Sequence, residues 1–146
     1  MKIARAAGML FAAAVALTGC STISDTSSQT SPAASAAGSV SLDNKDLGPV
    51  TSVTCQQQSA GLMVTVESSP KVSILLTDNA TAVNYISAGS SGDTSLTYVT
   101  GSKSAGMEAT LSRTNQTFTI IGTAIGNVGK SDRELLLPFK IVATCP

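Results

Sequence analysis

The chain has 146 residues, of which 42% are hydrophobic and 3% aromatic, and it contains no histidine. Nine Lys and Arg balance nine Asp and Glu, which argues against a nucleic-acid partner and against electrostatic binding to an anionic bilayer. Without histidine the chain cannot form a Ser-His-Asp triad, a Cys-His pair or a His-containing zinc site.

The N-terminal residues 1–19 have the pattern of an export signal. Lys2 and Arg5 form a short basic start, and residues 6–17 are apolar or small. This run is shorter than the roughly 20 apolar residues of a membrane-spanning helix, and a basic start, a short apolar core and small residues before a cut are typical of a signal peptide.

The signal ends in the sequence LTGC at residues 17–20, which resembles a bacterial lipobox. In that case the chain is cut before Cys20, whose thiol carries diacylglycerol and palmitate. The protein would then be exported and anchored, facing outward, in the cell membrane or envelope, because two or more acyl chains hold a protein durably on a bilayer. The alternatives are an ordinary signal peptide with an incidental cysteine, or a core helix of a cytosolic domain.

Residues 20–39 are predicted to be the lipidated cysteine and a flexible tether. Ten of the nineteen residues from 21 to 39 are Ser or Thr and only Ile23 is large and apolar, so the stretch cannot bury enough surface to offset its chain entropy. A Ser/Thr-rich stalk suits O-glycosylation, although a plain spacer without sugar fits the composition equally well.

Residues 40–146 are predicted to form one all-β domain, an antiparallel sandwich or small barrel of about eight short strands. Apolar residues alternate with polar ones, and Gly, Pro, Asn and Asp mark the turns between the runs. Pro138 predicts an edge strand or a bulge. The predicted strands cover residues 40–43, 50–55, 61–68, 71–78, 82–87, 94–100, 105–112, 116–122 and 137–145.

Three aliphatic residues fall on the face that should be polar. Leu75 alternates with Ile74 and Leu76, Ile121 follows Ile120, and Leu136 lies between two leucines. A sheet with one wet face normally carries polar residues at such positions. Leu75, Ile121 and Leu136 are therefore predicted to converge on one apolar patch that binds a lipid ligand. The alternatives are that the loop at 126–132 covers them or that they are isolated surface residues.

The cysteines divide into one lipidation site and one pair. If Cys20 is acylated, an even number remains, and export places Cys55 and Cys145 where a disulfide persists. Two buried free thiols are the alternative.

Several short motifs, in chain order, resemble one known family, the mycobacterial LpqH or 19 kDa lipoprotein antigens. They are LTGC, VTC at 53–55, LLTD at 75–78, LTYVTGS at 96–102, FTIIGTAIG at 118–126 and FKIVATC at 139–145. The resemblance implies a cell-envelope lipoprotein whose acyl chains are recognised by the host innate receptor Toll-like receptor 2. It also implies glycosylation of tether threonines, here Thr22, Thr26 and Thr30, and a role in carrying ligands.

Motifs that would carry catalysis are weak. An S-x-x-K string at residues 68–71 crosses a predicted turn, whereas the nucleophile of serine-lysine enzymes lies near a helix start. Asn79 and Asn115 fit the N-glycosylation pattern, but both lie where a turn favours asparagine. We expect no enzyme, cofactor, metal site or nucleic-acid partner. Two functions remain: a surface interaction protein held to the membrane by its acyl chains, and a carrier of a lipid or other hydrophobic molecule.

Overall fold

The computed structural model of the protein describes residues 37–89, 93–102, 104, 106–130 and 133–146. Within these ranges the chain forms ten antiparallel β-strands and no helix, which confirms the all-β prediction. The strands are β1 (Gly38–Leu42), β2 (Lys45–Asp46), β3 (Ser52–Gln58), β4 (Gly61–Glu67), β5 (Val72–Leu76), β6 (Val83–Ala88), β7 (Ser95–Val99), β8 (Glu108–Thr114), β9 (Thr117–Asn127) and β10 (Leu135–Thr144).

All nine strands predicted from the alternating pattern are present, and two features differ. The two-residue strand β2 was not predicted; it follows a tight turn at Asp43 and Asn44, whose φ angles of 51° and 60° are those of a two-residue hairpin. Strand β9 was predicted to end at residue 122 but continues to Asn127, because Ala124 and Gly126 are small residues buried between neighbouring strands.

The strands form one sheet in the order β2-β1-β10-β9-β7-β6-β5-β4-β3, with β8 also beside β9. One edge of β9 pairs with β10, while the other pairs with β8 over residues 117–123 and with β7 over residues 125–127. A strand shared between two sets of partners makes a corner, and the sheet curls into a half-barrel. Gly126 permits this corner, since a Cβ there would lie 2.2 Å from the carbonyl oxygen of Ser95.

The core lies on the inner face of the curled sheet. Strands β4–β6 and strands β1, β9 and β10 contribute to one buried cluster, so the two halves of the sheet share a single core. Aliphatic residues supply most of it, as the low aromatic content requires. The largest fully buried side chains are Phe118, Leu42, Ile74, Leu76, Ile86, Ile120, Ile141, Val64, Val66 and Val72.

Pro138 lies in a strand that is flanked on both sides, which corrects the prediction of an edge strand. Strand β10 pairs with β9 through Pro138, but β1 reaches only to Leu42, opposite Phe139. The Pro138 carbonyl accepts a hydrogen bond from the Asp43 amide where β1 turns away. The missing N–H of proline therefore faces the end of β1 and not the β9 ladder, so the strand tolerates it.

A disulfide joins Cys55 in β3 to Cys145 just after β10, with 5.7 Å between the two Cα atoms. This confirms the pairing expected from the cysteine count. The bond ties the last strand of the sheet path, β3, to the segment that follows β10, and it closes the curl covalently.

Candidate functional site

A cleft lies at one end of the half-barrel, where three turns meet. One row of residues paired across neighbouring strands marks this end of the sheet, and the β4–β5, β6–β7 and β9–β10 connections lie just beyond it. The row consists of Val66, Val72, Ala88, Leu96, Gly126 and Leu135. The cleft has a volume of about 400 Å³, within the range of about 300–1,000 Å³ of small-molecule sites. We call it the turn cleft, and it is lined by Ser69, Pro70, Gly89, Asp93, Thr94 and Gly129.

Hydrogen bonds hold the three turns of the cleft together. The Gly89 amide donates to the Lys71 carbonyl at 3.4 Å, which links the β6–β7 turn to the β4–β5 turn. The Gly129 amide donates to Thr94 Oγ1 at 3.1 Å, which links the β9–β10 turn to the β6–β7 turn. Gly89, at φ 67°, is needed because a Cβ there would lie 1.9 Å from the Thr94 carbonyl oxygen. The cleft is therefore already formed in the free protein.

The polar groups of the cleft differ in whether they already have hydrogen-bond or ion-pair partners. The Thr94 hydroxyl accepts a hydrogen bond from the Gly129 amide, and its own proton has no acceptor among the described residues. The exposed Ser69 hydroxyl and Asp93 carboxylate have no hydrogen-bond or ion-pair partner among the described residues. Nearby Lys71 is paired with Glu67 at 2.6 Å, and Asp93 is the one charged side chain among the described lining residues.

A second, smaller depression lies on the outer face of β1, β9 and β10. Its volume is about 220 Å³. Exposed Ile121 and Pro138 give it an apolar floor, while Lys140 lies beside Ile121 in the register.

The three predicted outer aliphatics do point away from the core. Ile121 is 52% exposed whereas Ile120 is 1% exposed, and Leu136 is 47% exposed; Leu75 is half-buried between two fully buried neighbours.

The register does not bring these three residues together. Leu75 lies on β5, with β6 and β7 between it and β9. Leu136 is opposite Ile125, four positions along β9 from Ile121, which corresponds to about 13 Å at the usual rise per residue. The single converging patch is thus corrected to three separate positions, because strand order and register set lateral contacts that alternation alone does not define. Lipid binding at each position stays a prediction.

The neighbours of Leu75 form an apolar row that sequence analysis missed. Leu75 lies between Met63 on β4 and Tyr85 on β6, and Tyr85 lies opposite Val99 on β7. Tyr85 and Val99 are both exposed. The row crosses four strands, so only the register could reveal it.

The motif at residues 68–71 lies in the β4–β5 turn, as predicted. Ser68 donates its hydroxyl proton to the Pro70 carbonyl at 2.7 Å, and Lys71 is engaged with Glu67. The serine and the lysine thus have separate partners, and this geometry offers no nucleophile paired with a base.

The two N-x-T motifs also lie in turns. Asn79 accepts hydrogen bonds from the hydroxyls of Thr77 and Thr81 at 3.0 and 2.7 Å. Asn115 has a φ of 55° in the β8–β9 turn, a conformation that asparagine tolerates better than most residues.

The predicted lipidation site Cys20 and the predicted glycosylation sites Thr22, Thr26 and Thr30 lie outside the described residues, as do the signal peptide and most of the tether. In the described ranges no helix is long and apolar enough to span a membrane. The same ranges hold no cluster of three or more Cys, Asp or Glu side chains that could ligate a metal ion.

The turn cleft could not be found from sequence alone. Ser69-Pro70, the stretch at 89–93 and the segment at 126–132 are each recognisable as turn signals. Their convergence depends on β7 pairing with β9 instead of with β8, a non-local choice. Asp93 and Ser69 thus look like ordinary turn residues until the strands are placed.

Apart from LTGC, which lies outside the described residues, the motifs that suggest the family are spread across the half-barrel, from β3 to the residue after β10. Residues 31–145 match the model of the Mycobacterium 19 kDa lipoprotein antigen. The chain belongs to this family. The 19 kDa antigen family is one of cell-envelope lipoproteins and not a known enzyme family. Among curated proteins the chain has no match.

Proposed function

We propose that this member of the 19 kDa antigen family is a surface interaction protein, anchored through acyl chains on Cys20 and facing outward from the membrane. The family match over residues 31–145 carries the proposal, because it begins shortly after a cysteine that ends a signal-like sequence. The match supports a lipoprotein, and the LTGC quartet supports the position of the lipid.

The half-barrel would serve as a stable head at the end of the tether. Its core is closed: Val66, Val72, Ile74 and Leu76 are fully buried. The clefts of about 400 and 220 Å³ lie at the surface. The larger is bordered largely by polar groups and glycine, and the smaller has polar residues beside its floor of Ile121 and Pro138. Both observations support a head more than a carrier, which needs an apolar cavity that encloses its ligand.

Two finer roles complete the proposal. The acyl chains on Cys20 would be the part recognised by host Toll-like receptor 2, and Thr22, Thr26 and Thr30 would carry O-linked sugar. Both roles come from the family resemblance and from the composition of the tether. A non-enzymatic role is supported by the separate partners of Ser68 and Lys71 and by the absence of histidine from the sequence.

Intact mass and detergent partitioning test the anchor. The native membrane protein should have the mass of the chain from Cys20 onward plus diacylglycerol and a further acyl chain, and any hexose additions should map to the tether. Cys20→Ser should lose the lipid mass and leave the detergent phase, whereas Ser24→Ala, a matched tether change, should keep both. If Cys20→Ser partitions and is processed like the parent, the lipid anchor is not on Cys20.

A receptor reporter assay tests which part of the molecule is recognised. Cys20→Ser should lose the Toll-like receptor 2 response, while the double variant Cys55→Ala/Cys145→Ala should keep it, because it alters the head and leaves the acyl chains in place. The reverse pattern would assign recognition to the head.

A further inference from the structure

The turn cleft displays side-chain groups whose hydrogen-bonding capacity is not fully used by the described residues. The Asp93 carboxylate can accept several hydrogen bonds, the Ser69 hydroxyl can donate and accept, and the Thr94 hydroxyl can donate. The fold holds these groups in place through the bonds that link its three turns. In the part of the chain that the structure describes, they therefore line a preformed space with donors and acceptors unfilled.

The floor of the cleft leaves room for a ligand to approach the backbone. Gly89 and Gly129 have no side chains, and a Cβ built on Gly129 would meet no atom within 4 Å. Among the described lining residues, Pro70 supplies the only apolar side chain. A volume of about 400 Å³ accommodates roughly one or two sugar rings within the usual range of small-molecule sites.

The chemistry of the lining favours one ligand class. A lipid chain would leave the carboxylate and the hydroxyls without partners. An anion would be repelled by Asp93, since Lys71 is already paired with Glu67. A metal ion would find one carboxylate among the described lining residues, and the described residues contain no metal-ligating group of three. An uncharged ligand with several adjacent hydroxyls can donate to Asp93, exchange hydrogen bonds with Ser69 and Thr94, and lay a C–H face on Pro70.

We propose that the turn cleft is a binding site for an uncharged saccharide, with Asp93 as its principal acceptor. Because Asp93 and Ser69 are exposed and hydrated in the free protein, each new hydrogen bond replaces one to water. The described lining residues also include no aromatic side chain on which a sugar could stack. Binding is therefore weak, in the millimolar range for a free sugar. This site goes beyond the proposed function, because it belongs to the head and does not depend on the anchor.

Nuclear magnetic resonance titration of the full protein tests the proposal directly. The ¹⁵N-labelled protein, purified in a zwitterionic detergent that contains no sugar, would be titrated with trehalose, maltose and methyl mannoside, and separately with glycerol and octanoate. We expect saturable amide shifts at Ser69, Gly89, Asp93, Thr94 and Gly129 with at least one saccharide. Glycerol should give no saturation, and octanoate should not shift these amides.

Variants separate recognition from folding. Asp93→Ala should weaken saccharide binding at least about tenfold, because the carboxylate accepts several hydrogen bonds. Ser69→Ala should weaken binding by less, because it removes a single hydroxyl. Asp78→Ala is the matched control, since Asp78 is an exposed aspartate in the β5–β6 turn at the opposite end of β5; it should bind like the parent. Unchanged amide shifts away from the cleft show that each variant is folded.

Two results would overturn the site. One is the absence of saturable shifts at the cleft with all three saccharides. The other is equal binding by the parent and Asp93→Ala, which would place the sugar elsewhere. Neither result bears on Cys20, so failure here is distinct from failure of the anchor.

Discussion

The two faces of the same strands differ sharply in what they contribute. On β9, Ile120 is 1% exposed and packs in the core, while the next residue, Ile121, is 52% exposed. On β5, Ile74 and Leu76 are completely buried and Leu75 between them is not. Side chains of equal size and hydrophobicity therefore have different energetic roles, because the pleat sends one inward and the next outward.

This contrast explains how a domain with few aromatics can be stable while its surface carries large aliphatics. Each fully buried aliphatic side chain stabilises the fold by about 1.5–3 kcal/mol relative to exposure. An outer isoleucine or leucine keeps much of its surface in water and contributes far less. Function that depends on contact with partners must use the outer face or the turns, and the turn cleft lies where the strands end.

The largest expected effect on stability comes from removing the Cys55–Cys145 disulfide, which closes the curled sheet around its core. In the double variant Cys55→Ala/Cys145→Ala, the loop of 90 residues is no longer closed. The chain-entropy estimate for such a loop is about 4–5 kcal/mol, and removal of native disulfides typically costs about 2–5 kcal/mol. We expect the melting temperature to fall by about 10 °C or more.

Calorimetry of parent and double variant measures this effect. The parent in reducing agent serves as a second route to the same state, and Cys20→Ser is the matched control because it removes a cysteine outside the bridge. A melting temperature unchanged in the double variant would mean that packing alone holds the curl.

A single pair of substitutions tests the face contrast itself. Ile120→Ala should destabilise the fold by about 2–5 kcal/mol, since it leaves a cavity in a packed core. Ile121→Ala, one residue later on the same strand, should change stability by less than about 0.5 kcal/mol, as is usual for surface substitutions. Urea unfolding gives both free energies. Equal losses would mean that Ile121 is covered by some other part of the protein.

A smaller effect should come from the turn that sets which face is inner. Asn115 holds a φ of 55° in the two-residue loop between Thr114 and Thr117, and a shift of one residue there would exchange the faces of β8. Asn115→Ala should cost about 1 kcal/mol, because alanine is strained in this conformation. Asn115→Gly is the control and should be neutral or slightly stabilising. Thermal unfolding of the two variants distinguishes them, and an equally stable alanine variant would show that the turn relaxes.

The sequence predicts the faces well and the lateral neighbours poorly. Alternation at Leu62, Val64 and Val66, or at Phe118 and Ile120, reports burial because period two is a local property of a strand. Cysteine number predicts the bridge because two thiols remain if Cys20 is acylated. Which strands lie side by side depends on long-range pairing, and β9 changes partner from β8 to β7 within its length. For this reason the sequence pattern does not reveal the turn cleft or the row from Met63 to Val99. For the same reason the prediction that the three outer aliphatics form one patch is wrong, because strand order and register place them apart.

The smallest expected effect concerns those outer aliphatics. Leu75 and Leu136 lie on strands separated by β6, β7 and β9, and residues so far apart behave independently. The losses of unfolding free energy in Leu75→Ser and Leu136→Ser should therefore add in the double variant, within about 0.5 kcal/mol.

Titration of the same variants with a fluorescent fatty acid tests the predicted lipid site. If the positions are independent, each substitution should affect only a ligand bound at its own position. Ile121→Ser serves as the third outer position, on the same face as Leu136 but about 13 Å along the strands. If Leu75→Ser and Leu136→Ser each abolish the same saturable binding, the outer face holds one extended lipid across the sheet, and the head is also a carrier.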